Sequence, residues 1–447
     1  MVNQHTWIQK IRDSSRFVGE MGYAHNIYLH MMADIGHQLL CVDNDPQKLD
    51  SMRKGKVPFY EPYLERLVRR HLKTGRLSFS ESIRKGVEVS GVIFIAVGTP
   101  SRPNGEADLS YVEAVSREIA KAMRSYRLIV EKSTVPVETG EWVRQTIQQS
   151  LQRKVPFDVA SNPEFLREGQ AVYDFMHPDR IVIGVESKKA QTILREIYKP
   201  IKAPLVATDI KSAEIIKHAS NSFLSMKISF INMVSALSEK VGADVVKIAE
   251  GVGLDRRIGK SFLNAGAGFG GSCFGKDLSA FVGIAEKAGA DFQLLKEVQR
   301  INQRQRELLV KKVEQAVWNL KGKTVGILGL AFKPETDDLR DAPAIDIIRS
   351  LQKEGAMVKA YDPAAMESAK GILNGVLFCA DPYEAAKGAD CLLFVTEWEE
   401  FQTLDLKRLK GLMSTPTLVD GRNLLDPQET QKAGFRYFSI GRSIVSS

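Results

Sequence analysis

A rhythm of short apolar segments, which occurs twice along the chain, constrains the fold more than any other feature. In the first part, runs rich in β-branched residues alternate with longer amphipathic segments. These runs are LLCV, VIFIAV, LIVEKST, FDVAS and RIVIGV, at residues 39–42, 92–97, 128–134, 157–161 and 180–185. Apolar strands separated by helix-length segments are typical of a parallel, doubly wound sheet whose strands are buried on both faces.

This alternation of predicted strands and helices stops in the middle of the chain. From residue 212 to about residue 317 apolar residues recur at three- and four-residue spacing, which predicts a succession of helices. After residue 323 the strand rhythm returns in TVGILGL, AMVKAYD, GVLFC, CLLFVTE and TLVDG. We therefore predict an α/β protein with two Rossmann-like, doubly wound domains joined by a central helical region, with boundaries at 1–210, 211–318 and 319–447.

Length and composition fit this architecture and exclude several classes of protein. A chain of 447 residues with 44% hydrophobic and 26% charged residues is typical of a globular protein of two or three domains. No run of eighteen or more apolar residues occurs and the N-terminal sequence lacks a signal-peptide core, so we expect a cytoplasmic protein with no membrane partner. The four cysteines show no CxxC spacing and no nearby histidine pairs, which speaks against disulfides and against a metal site.

The net charge of +8 allows two interpretations. A basic run at residues 66–76 suggests nucleic-acid binding, but no aromatic residues interleave with its charges and no recognition motif follows. A solvated helix face explains this run better, so we expect no nucleic-acid partner. A moderate positive charge also suits an anionic small-molecule substrate. The charge alone does not separate the two interpretations.

Polar residues follow three consecutive strands of the first predicted sheet. GTPSRPNG follows VIFIAV, STVPVETG follows LIVEK, and SNPEFLREG follows FDVA. Ligands bind beyond the carboxyl ends of the strands in doubly wound sheets, so these segments are candidates for a binding site. Each segment taken singly is an ordinary turn, since Gly, Pro, Ser and Asn punctuate every α/β protein. The three together favour a site.

A glycine-rich loop, NAGAGFGGSCFGKD at residues 264–277, surrounds one of the cysteines. Its five glycines allow the backbone to wrap closely around a ligand. Cys273 stands near Lys276, and a neighbouring cation favours the thiolate, the form that attacks carbonyl groups. The usual alternative is an inert buried thiol, which we expect for Cys41, Cys379 and Cys391 because they lie in or at the ends of apolar strands.

Eight ordered motifs give the chain a close resemblance to a known family. They are PFYEPYLERL, FIAVGTPSRPNGEADLSYV, EKSTVPVETG, SNPEFLREGQAVYDFMHPDRIVIG, SAEIIKHASNSFLSMKISFIN, RIGKSFLNAGAGFGGSCFGKD, GLAFKPETDDLRDAPA and DGRN. From about residue 36 to the C-terminus the chain resembles the UDP-glucose/GDP-mannose dehydrogenase family. The resemblance implies an N-terminal NAD-binding domain, a central helical region that forms the core of a homodimer or higher homo-oligomer, and a C-terminal domain that binds the nucleotide-sugar.

The resemblance also implies a reaction. The family oxidises the C6 alcohol of a nucleotide-sugar, here UDP-glucose, to a carboxylate, with two hydride transfers to NAD. By motif, Cys273 captures the intermediate aldehyde as a thiohemiacetal. Oxidation of the thiohemiacetal gives a thioester, which water cleaves.

Further catalytic roles follow from the same resemblance. Lys217 and Asn221, four residues apart on a predicted helix, would stabilise the developing oxyanion. Glu164 would supply general acid and base help to the hydrolytic step, and Thr134 and Asp277 would help to place the water. Without the resemblance, Lys217 is an ordinary solvated lysine on a helix surface.

The resemblance assigns residues that hold the two ligands. Substrate contacts would come from Glu164, Phe165, Leu166, Arg167, Glu168, Lys217, Asn221, Arg257, Phe262, Leu263, Asn264, Ala265, Gly266, Gly270, Lys333 and Arg422. Cofactor contacts would come from Gly22, Asp43, Lys48, Thr99, Thr134, Glu168, Lys276 and Arg340. Arg257 would reach the substrate of a neighbouring subunit, and Asp43 is the acid expected to bind the ribose hydroxyls. Glu168 would lie one turn after Glu164 if their segment were helical, and it could instead pair with Arg167.

Two stretches depart from the family pattern. CFGKD has Gly275 where the family usually has proline, which leaves the chain after the cysteine freer without removing a reacting group. The stretch FVGEMGYAHNIY, at residues 17–28, stands where the family has the phosphate-binding motif GxGYVG. In the register set by GHQLLCVD, the three glycines of that motif fall on Glu20, Gly22 and His25, and a register set by FVG fits no better.

Three functions remain open on the sequence alone. An active dehydrogenase of UDP-glucose is favoured by the YEP and NPEFLREG stretches. The alternatives are a dehydrogenase of UDP-N-acetylmannosamine or GDP-mannose, and a nucleotide-sugar-binding protein without catalysis. Separate titrations with UDP-glucose and NAD distinguish the last alternative, which requires the sugar to bind and NAD to fail.

We predict that residues 1–35 weaken NAD binding while the rest of the cofactor site is ready to accept it. The first strand of a doubly wound sheet is buried on both faces, but IRDSSRFV carries charges at Arg12, Asp13 and Arg16. Repulsion between Glu20 and the pyrophosphate at ~4 Å and an effective dielectric of ~20 is roughly 4 kcal/mol, about a thousandfold in affinity. Replacing residues 1–35 with an apolar strand followed by GxGYVG should therefore tighten NAD binding, measured by calorimetry. Equally tight binding by the unmodified chain would refute the prediction.

Overall fold

The computed structural model of the chain describes residues 23–57, 59–100, 102 and 106–442, with the backbone alone at 23–26 and 29. The chain divides into two compact units, Met1–Ser220 and Asn221–Ser447. The phosphate-loop residues Glu20 and Gly22 lie outside the described residues. The division into three domains predicted above stays a prediction.

The first unit alternates strands and helices through most of its length. Its elements are α1 (Tyr23–Asp34), β1 (Leu39–Val42), α2 (Pro46–Arg53), α3 (Leu64–Lys73), β2 (Leu77–Ser80), α4 (Ile83–Val89), β3 (Val92–Ile95), α5 (Ser110–Ala122), β4 (Arg127–Glu131), α6 (Thr139–Ser150), β5 (Phe157–Ser161), α7 (Ala171–Met176), β6 (Ile181–Val185), α8 (Lys188–Tyr198) and β7 (Leu205–Thr208). The predicted strands are confirmed, and β2 and β7 are additional.

The strands of the first unit form a parallel pair, β1–β2, and a five-stranded sheet in the order β3-β4-β5-β6-β7. Leu39 and Phe94 share one apolar cluster and Leu40 and Ile93 another, so β1 and β3 are packed into a common core. Alternate residues of each strand therefore face opposite layers of helices, as expected for a sheet covered on both faces.

The five-stranded sheet departs from the predicted parallel arrangement at one position. β3, β4 and β5 are parallel, but β5 and β6 are antiparallel, and β7 runs parallel to β6. The helix between β5 and β6 is α7, which has 6 residues. It is about 9 Å long, whereas a five-residue strand spans roughly 16 Å, so α7 is too short to carry the chain back across the sheet.

A long helix, α9 (Ile210–Val241), begins in the first unit. Its start is tied to the beginning of α6, because the Glu214 carboxylate accepts hydrogen bonds from the backbone N–H groups of Glu138 (2.8 Å) and Gly140 (2.9 Å). Ile210 belongs to the same buried cluster as strand residue Ile93. These contacts fix the turn of α9 that carries Lys217.

The second unit continues with helices and ends in a second sheet. Its helices and strands are α10 (Val245–Gly253), α11 (Phe274–Lys287), α12 (Gln293–Val317), β8 (Thr324–Leu328), α13 (Pro343–Lys353), β9 (Met357–Tyr361), α14 (Met366–Lys370), β10 (Val376–Phe378), α15 (Pro382–Ala386), β11 (Cys391–Phe394), α16 (Glu399–Gln402), α17 (Leu406–Leu412), β12 (Thr417–Asp420), α18 (Pro427–Lys432) and β13 (Arg436–Ser439). The predicted helical middle and the predicted α/β C-terminal part are both confirmed.

The second sheet is parallel throughout, in the order β10-β9-β8-β11-β12-β13. The strand order reverses between β8 and β11, which is the position where doubly wound sheets bind ligands. Among the residues that the structure describes, no helix has the length and hydrophobicity needed to cross a membrane.

Candidate active site

In the first unit, the chain segments that follow β3, β4 and β5 stay hydrogen-bonded beyond the strands. The Lys132 N–H donates to the Ile95 carbonyl (2.8 Å), and the Asn162 N–H donates to the Glu131 carbonyl (2.8 Å). Two residues after Lys132, the Thr134 carbonyl accepts a hydrogen bond from the Thr99 hydroxyl (2.9 Å). The three polar segments predicted from the sequence therefore lie side by side at one edge of the sheet.

A buried ion pair lies at this edge. The Lys217 ammonium on α9 donates to the Glu164 carboxylate at 3.1 Å, and both side chains are buried. Burial raises the pKa of Glu164, but Lys217, the Leu166 N–H and Lys132 outweigh it, so that the pKa lies below its usual value. Lys217 is therefore not the solvated lysine that its position on a helix alone suggests.

The residues after Glu164 are held by local contacts. The segment from Glu164 to Arg167 is not helical, so Glu164 and Glu168 are not placed one turn apart on a helix. Arg167 forms a bidentate ion pair with Asp174 (2.9 and 2.6 Å). Two cations lie close to the Phe165 ring, with the Arg180 guanidinium 3.8 Å and the Lys217 ammonium 5.4 Å from its centroid.

The cofactor residues predicted in the first unit present a donor and acceptor set that suits a dinucleotide. Asp43 is buried at the carboxyl end of β1, where one carboxylate oxygen accepts the Asp45 N–H (2.8 Å). A carboxylate at this position can accept hydrogen bonds from the hydroxyls of a ribose. Thr99 and Thr134 lie in the segments that follow β3 and β4. Lys48 is half-buried in the first turn of α2.

In the second unit, Cys273 lies immediately before α11 and its side chain is exposed. The Ser272 hydroxyl is 3.5 Å from its Sγ atom. The N-terminus of a helix favours a negative charge, so this position favours the thiolate. The other three cysteines are buried, and burial raises the pKa of the Cys41, Cys379 and Cys391 thiols. The expectation that Cys41, Cys379 and Cys391 are buried is confirmed, and Cys273 differs from them in its exposure.

Asp277 lies one helical turn after Cys273 and is buried. Its backbone N–H donates to the Cys273 carbonyl (2.8 Å), and its carboxylate accepts a hydrogen bond of 2.6 Å from the Asn221 side-chain amide. The Lys276 ammonium lies 3.8 Å from the same carboxylate. Gly275 stands in the first turn of α11, where proline is also tolerated.

The glycine loop before Cys273 is packed against neighbouring chain segments. A Cβ atom at Gly270 would collide with the Asp341 carbonyl, and a Cβ atom at Gly271 would lie 2.8 Å from the Phe332 ring. Gly271 also has a φ of +86°, a conformation that favours glycine. Both positions require glycine for close packing, and Gly271 requires it for its backbone conformation as well.

Polar residues on α12 hold the loop, and sequence reasoning missed them. The Asn302 side chain exchanges two hydrogen bonds with the backbone of Phe269 (2.8 and 3.0 Å), and the Gln305 amide donates to the Gly266 carbonyl (3.2 Å). Arg306 donates to the Phe269 carbonyl (3.1 Å) and forms an ion pair with Asp341 (2.8 Å). These three side chains recur at the spacing of one helix face, which the sequence does not distinguish from a solvated face.

Other predicted site residues of the second unit have partners of their own. Arg257 is highly exposed and forms a bidentate pair with Asp255, and Arg340 pairs with Asp338 (2.6 Å). Arg422 donates to the Val395 carbonyl (2.7 Å) and to the carbonyls of Gly268 and Phe332, so it braces the glycine loop. The remaining members of the predicted substrate set differ in burial: Leu263, Ala265 and Gly266 are buried, Phe262 and Lys333 are half-buried, and Asn264 is exposed.

Three family models match the chain in sequence order. The NAD binding domain of the UDP-glucose/GDP-mannose dehydrogenase family matches residues 17–202, the central domain matches residues 211–304, and the UDP binding domain matches residues 326–427. The chain belongs to the UDP-glucose/GDP-mannose dehydrogenase family. The family predicted from the eight motifs is confirmed, and with it an NAD-dependent oxidoreductase. The first match includes the stretch that departs from GxGYVG.

Individual relatives extend the comparison across the chain. The chain is 47% identical over 425 residues to the UDP-glucose 6-dehydrogenase TuaD of Bacillus subtilis, covering 95% of this chain and 92% of the relative. It is similar to the structure of a UDP-glucose dehydrogenase from Pyrobaculum islandicum, with a TM-score of 0.90, 38% identity and coverage of 98% and 99%. It is also similar to the structure of a UDP-D-ManNAc dehydrogenase from Pyrococcus horikoshii, with a TM-score of 0.84, 25% identity and coverage of 96% and 99%.

Proposed function

We propose that this chain oxidises UDP-glucose to UDP-glucuronate with two molecules of NAD. The observation that carries the chemistry is the exposed thiol of Cys273 at the start of a helix, while the other three cysteines are buried. A nucleophilic cysteine allows an alcohol to be oxidised to an acid without release of the aldehyde. The substrate is supported by the relatives, since the Bacillus subtilis protein at 47% identity is a UDP-glucose 6-dehydrogenase.

The chain's own residues supply the non-redox chemistry. NAD, when bound, accepts the hydride in each of the two oxidations. In the first oxidation, the hydroxyl proton of the sugar passes to solvent water, and Lys217 and Asn221 stabilise the negative charge that develops on O6. The Cys273 thiolate then adds to the aldehyde carbon, and the resulting thiohemiacetal loses the second hydride to become a thioester.

Hydrolysis completes the sequence. Glu164, which is ionised beside Lys217, takes a proton from water as the water oxygen attacks the thioester carbonyl. The carbon–sulfur bond breaks, the Cys273 thiolate leaves, and the carboxylate is released. Asp277 and Thr134 help to place the water, and Asp277 is itself fixed by Asn221.

The other ligand contacts are proposed from the family resemblance. For the substrate they involve Phe165, Leu166, Arg167, Glu168, Arg257, Phe262, Leu263, Asn264, Ala265, Gly266, Gly270, Lys333 and Arg422. For the cofactor they involve Gly22, Asp43, Lys48, Thr99, Glu168, Lys276 and Arg340. Asp43 binds the ribose hydroxyls, and its buried position at the end of β1 supports this role.

Two alternatives from the sequence have less support. A dehydrogenase of UDP-N-acetylmannosamine or GDP-mannose would be expected to resemble such enzymes most. Identity is 25% to the UDP-D-ManNAc dehydrogenase structure and 30% to a GDP-mannose dehydrogenase structure, against 38% to the UDP-glucose dehydrogenase structure. A binding protein without catalysis would have no need of an exposed thiol at a helix start beside an ordered Asn221–Asp277 pair. Thiols at all four cysteines suit the reducing cytoplasm, which is the location that we propose.

An apolar stripe supports the proposal of a homodimer or a higher homo-oligomer. On the second-unit part of α9, five exposed apolar side chains recur at intervals of seven, three, four and four residues: Phe223, Phe230, Met233, Leu237 and Val241. Such spacing places them on one face of the helix. An exposed apolar face of this length is typical of a surface that a second protein covers, and we propose a second copy of the chain.

Replacing Cys273 with alanine should abolish net formation of UDP-glucuronate while leaving UDP-glucose binding intact. The variant lacks the nucleophile, but the charged and backbone groups that hold the nucleotide-sugar remain. Acid formation is measured by chromatography, and binding by calorimetry. Cys379→Ala is the matched control, because that thiol is buried and its loss should leave acid formation unchanged. A Cys273→Ala protein that made acid at close to the parental rate would exclude the covalent route.

Replacing Leu237 with glutamate should dissociate the oligomer. The substitution places a charge in the middle of the apolar stripe, where association would have to desolvate it. Sedimentation velocity is the measurement, and Leu377→Glu, which changes an exposed leucine of the second sheet, is the control. An unchanged sedimentation coefficient for Leu237→Glu would place the subunit contact elsewhere.

A further inference from the structure

A second buried lysine accompanies the Glu164–Lys217 pair and has no role in the mechanism above. Lys132 follows β4 directly and is 3% exposed. Its ammonium donates to the Asn162 side-chain oxygen (3.2 Å) and lies 3.8 Å from the ring centroid of Tyr28. A buried ammonium group is costly unless it is paired, and these contacts offset part of that cost.

The partner amide is itself fixed. The Asn162 oxygen accepts hydrogen bonds from the hydroxyls of Tyr28 (3.2 Å) and Tyr198 as well as from Lys132, and the Asn162 amide nitrogen donates to the Val182 carbonyl (2.7 Å). Three donors converge on one oxygen, which determines the orientation of the amide. Asn162 lies two residues before Glu164, so this network also fixes the start of the segment that carries the carboxylate.

Charge couples the two lysines through Glu164. Burial lowers the pKa of Lys132 to about 7, while Glu164 raises it and Lys217 lowers it. In return, Lys132 helps to lower the pKa of Glu164, after the larger effects of burial, Lys217 and the Leu166 N–H. Lys217, in direct contact with Glu164, and Lys132, through its charge, thus both favour the ionised carboxylate, and the pKa of Lys132 lies close to neutral pH.

We propose that Lys132 is a positioning residue, which holds Glu164 in place and ionised for the hydrolytic step through its charge and through Asn162. This inference rests on the proposed function, since it assigns a purpose to the Glu164 carboxylate. At acidic pH Lys132 is protonated, and its charge keeps a larger fraction of Glu164 ionised. The ionised carboxylate is the base that receives the proton of water. Loss of the Lys132 proton leaves Lys217 as the neighbouring cation.

Titratable groups from several elements surround Lys132. Tyr28 comes from α1, Tyr198 acts through Asn162 from α8, and Lys217 comes from α9. The adjacent Glu131 is also buried, and burial raises its pKa to about 8. Its carboxylate interacts with the backbone N–H of Lys132 and with Ser133, and Glu214 repels it.

The first experiment measures the pH dependence of thioester hydrolysis in single-turnover reactions. Lys132→Met should move the acidic limb of the profile upward by about 0.5 to 1 pH unit, because Glu164 loses a neighbouring cation, and KM for UDP-glucose should stay within about twofold. Lys132→Arg, which keeps the charge, should restore the acidic limb to its parental position. Lys312→Met is the control, since Lys312 is a buried lysine paired with Glu239 (2.9 Å) in the second unit, and it should keep the parental profile. A parental profile in Lys132→Met would reduce Lys132 to a structural role and overturn the proposal.

The second experiment does not require turnover and therefore separates this proposal from the proposed function. The ε-carbon resonance of Lys132, assigned by its absence in Lys132→Met, is titrated by NMR in the parent and in Glu164→Gln. We expect a midpoint near pH 7 in the parent and a lower midpoint in Glu164→Gln, because the neutral amide no longer stabilises the ammonium. This result would support the coupling even in a protein that oxidised no sugar. An ordinary lysine midpoint, or one that Glu164→Gln leaves unchanged, would overturn it.

Discussion

The ion pair between Glu164 and Lys217 is the interaction on which the proposed chemistry depends. A carboxylate and an ammonium group 3.1 Å apart share a buried position at the edge of the first sheet. Removing one partner of such a pair typically costs about 3–5 kcal/mol, since the other charge is then buried alone. The pair therefore requires precise support, and the fold supplies it from two directions. The segment after β5 carries Glu164, and α9, tied to α6 through Glu214, carries Lys217.

The second unit holds a reactive thiol in a fixed position and leaves it accessible. Cys273 is exposed at the start of α11, but the loop before it is fixed by Asn302, Gln305 and Arg306. Preorganised groups of this kind lower the cost of reaching a transition state, because they need not reorganise when charge develops. The first turn of α11 is fixed as well, because the buried Asp277 carboxylate accepts a hydrogen bond from the Asn221 amide.

Much of the fold could be predicted from the sequence, because its central strands are apolar on both faces. LLCV and CLLF are entirely buried. The first coincides with a predicted run, and the second lies within the predicted run CLLFVTE. Strand β2 was missed because LSFS is short and half polar, and the antiparallel direction of β6 depends on the length of α7, which the strand pattern does not contain. In the candidate site, the glycine-rich surroundings of Cys273 made that residue a candidate, and the family motif made Lys217 one; the roles of both stay predictions.

Other parts of the site could not be predicted because their meaning comes from tertiary contacts. Asn302, Gln305 and Arg306 look like a solvated helix face until the glycine loop is placed against them. Lys132 lies inside a recognised motif, EKSTVPVETG, but its importance follows from its burial and from its contacts with Asn162 and Tyr28. A lysine in a sequence is ordinarily expected at the surface, so only the structure shows that this one is buried.

The central claim is that one site carries UDP-glucose through two oxidations with the aldehyde held on Cys273. The most direct test is the ratio of NADH formed to UDP-glucose consumed, measured by absorbance and chromatography in the same reaction, with an aldehyde trap present. The account predicts two NADH per sugar and no trapped aldehyde. One NADH per sugar, with the aldehyde recovered in the trap, would contradict the thioester route and leave a simple alcohol dehydrogenase.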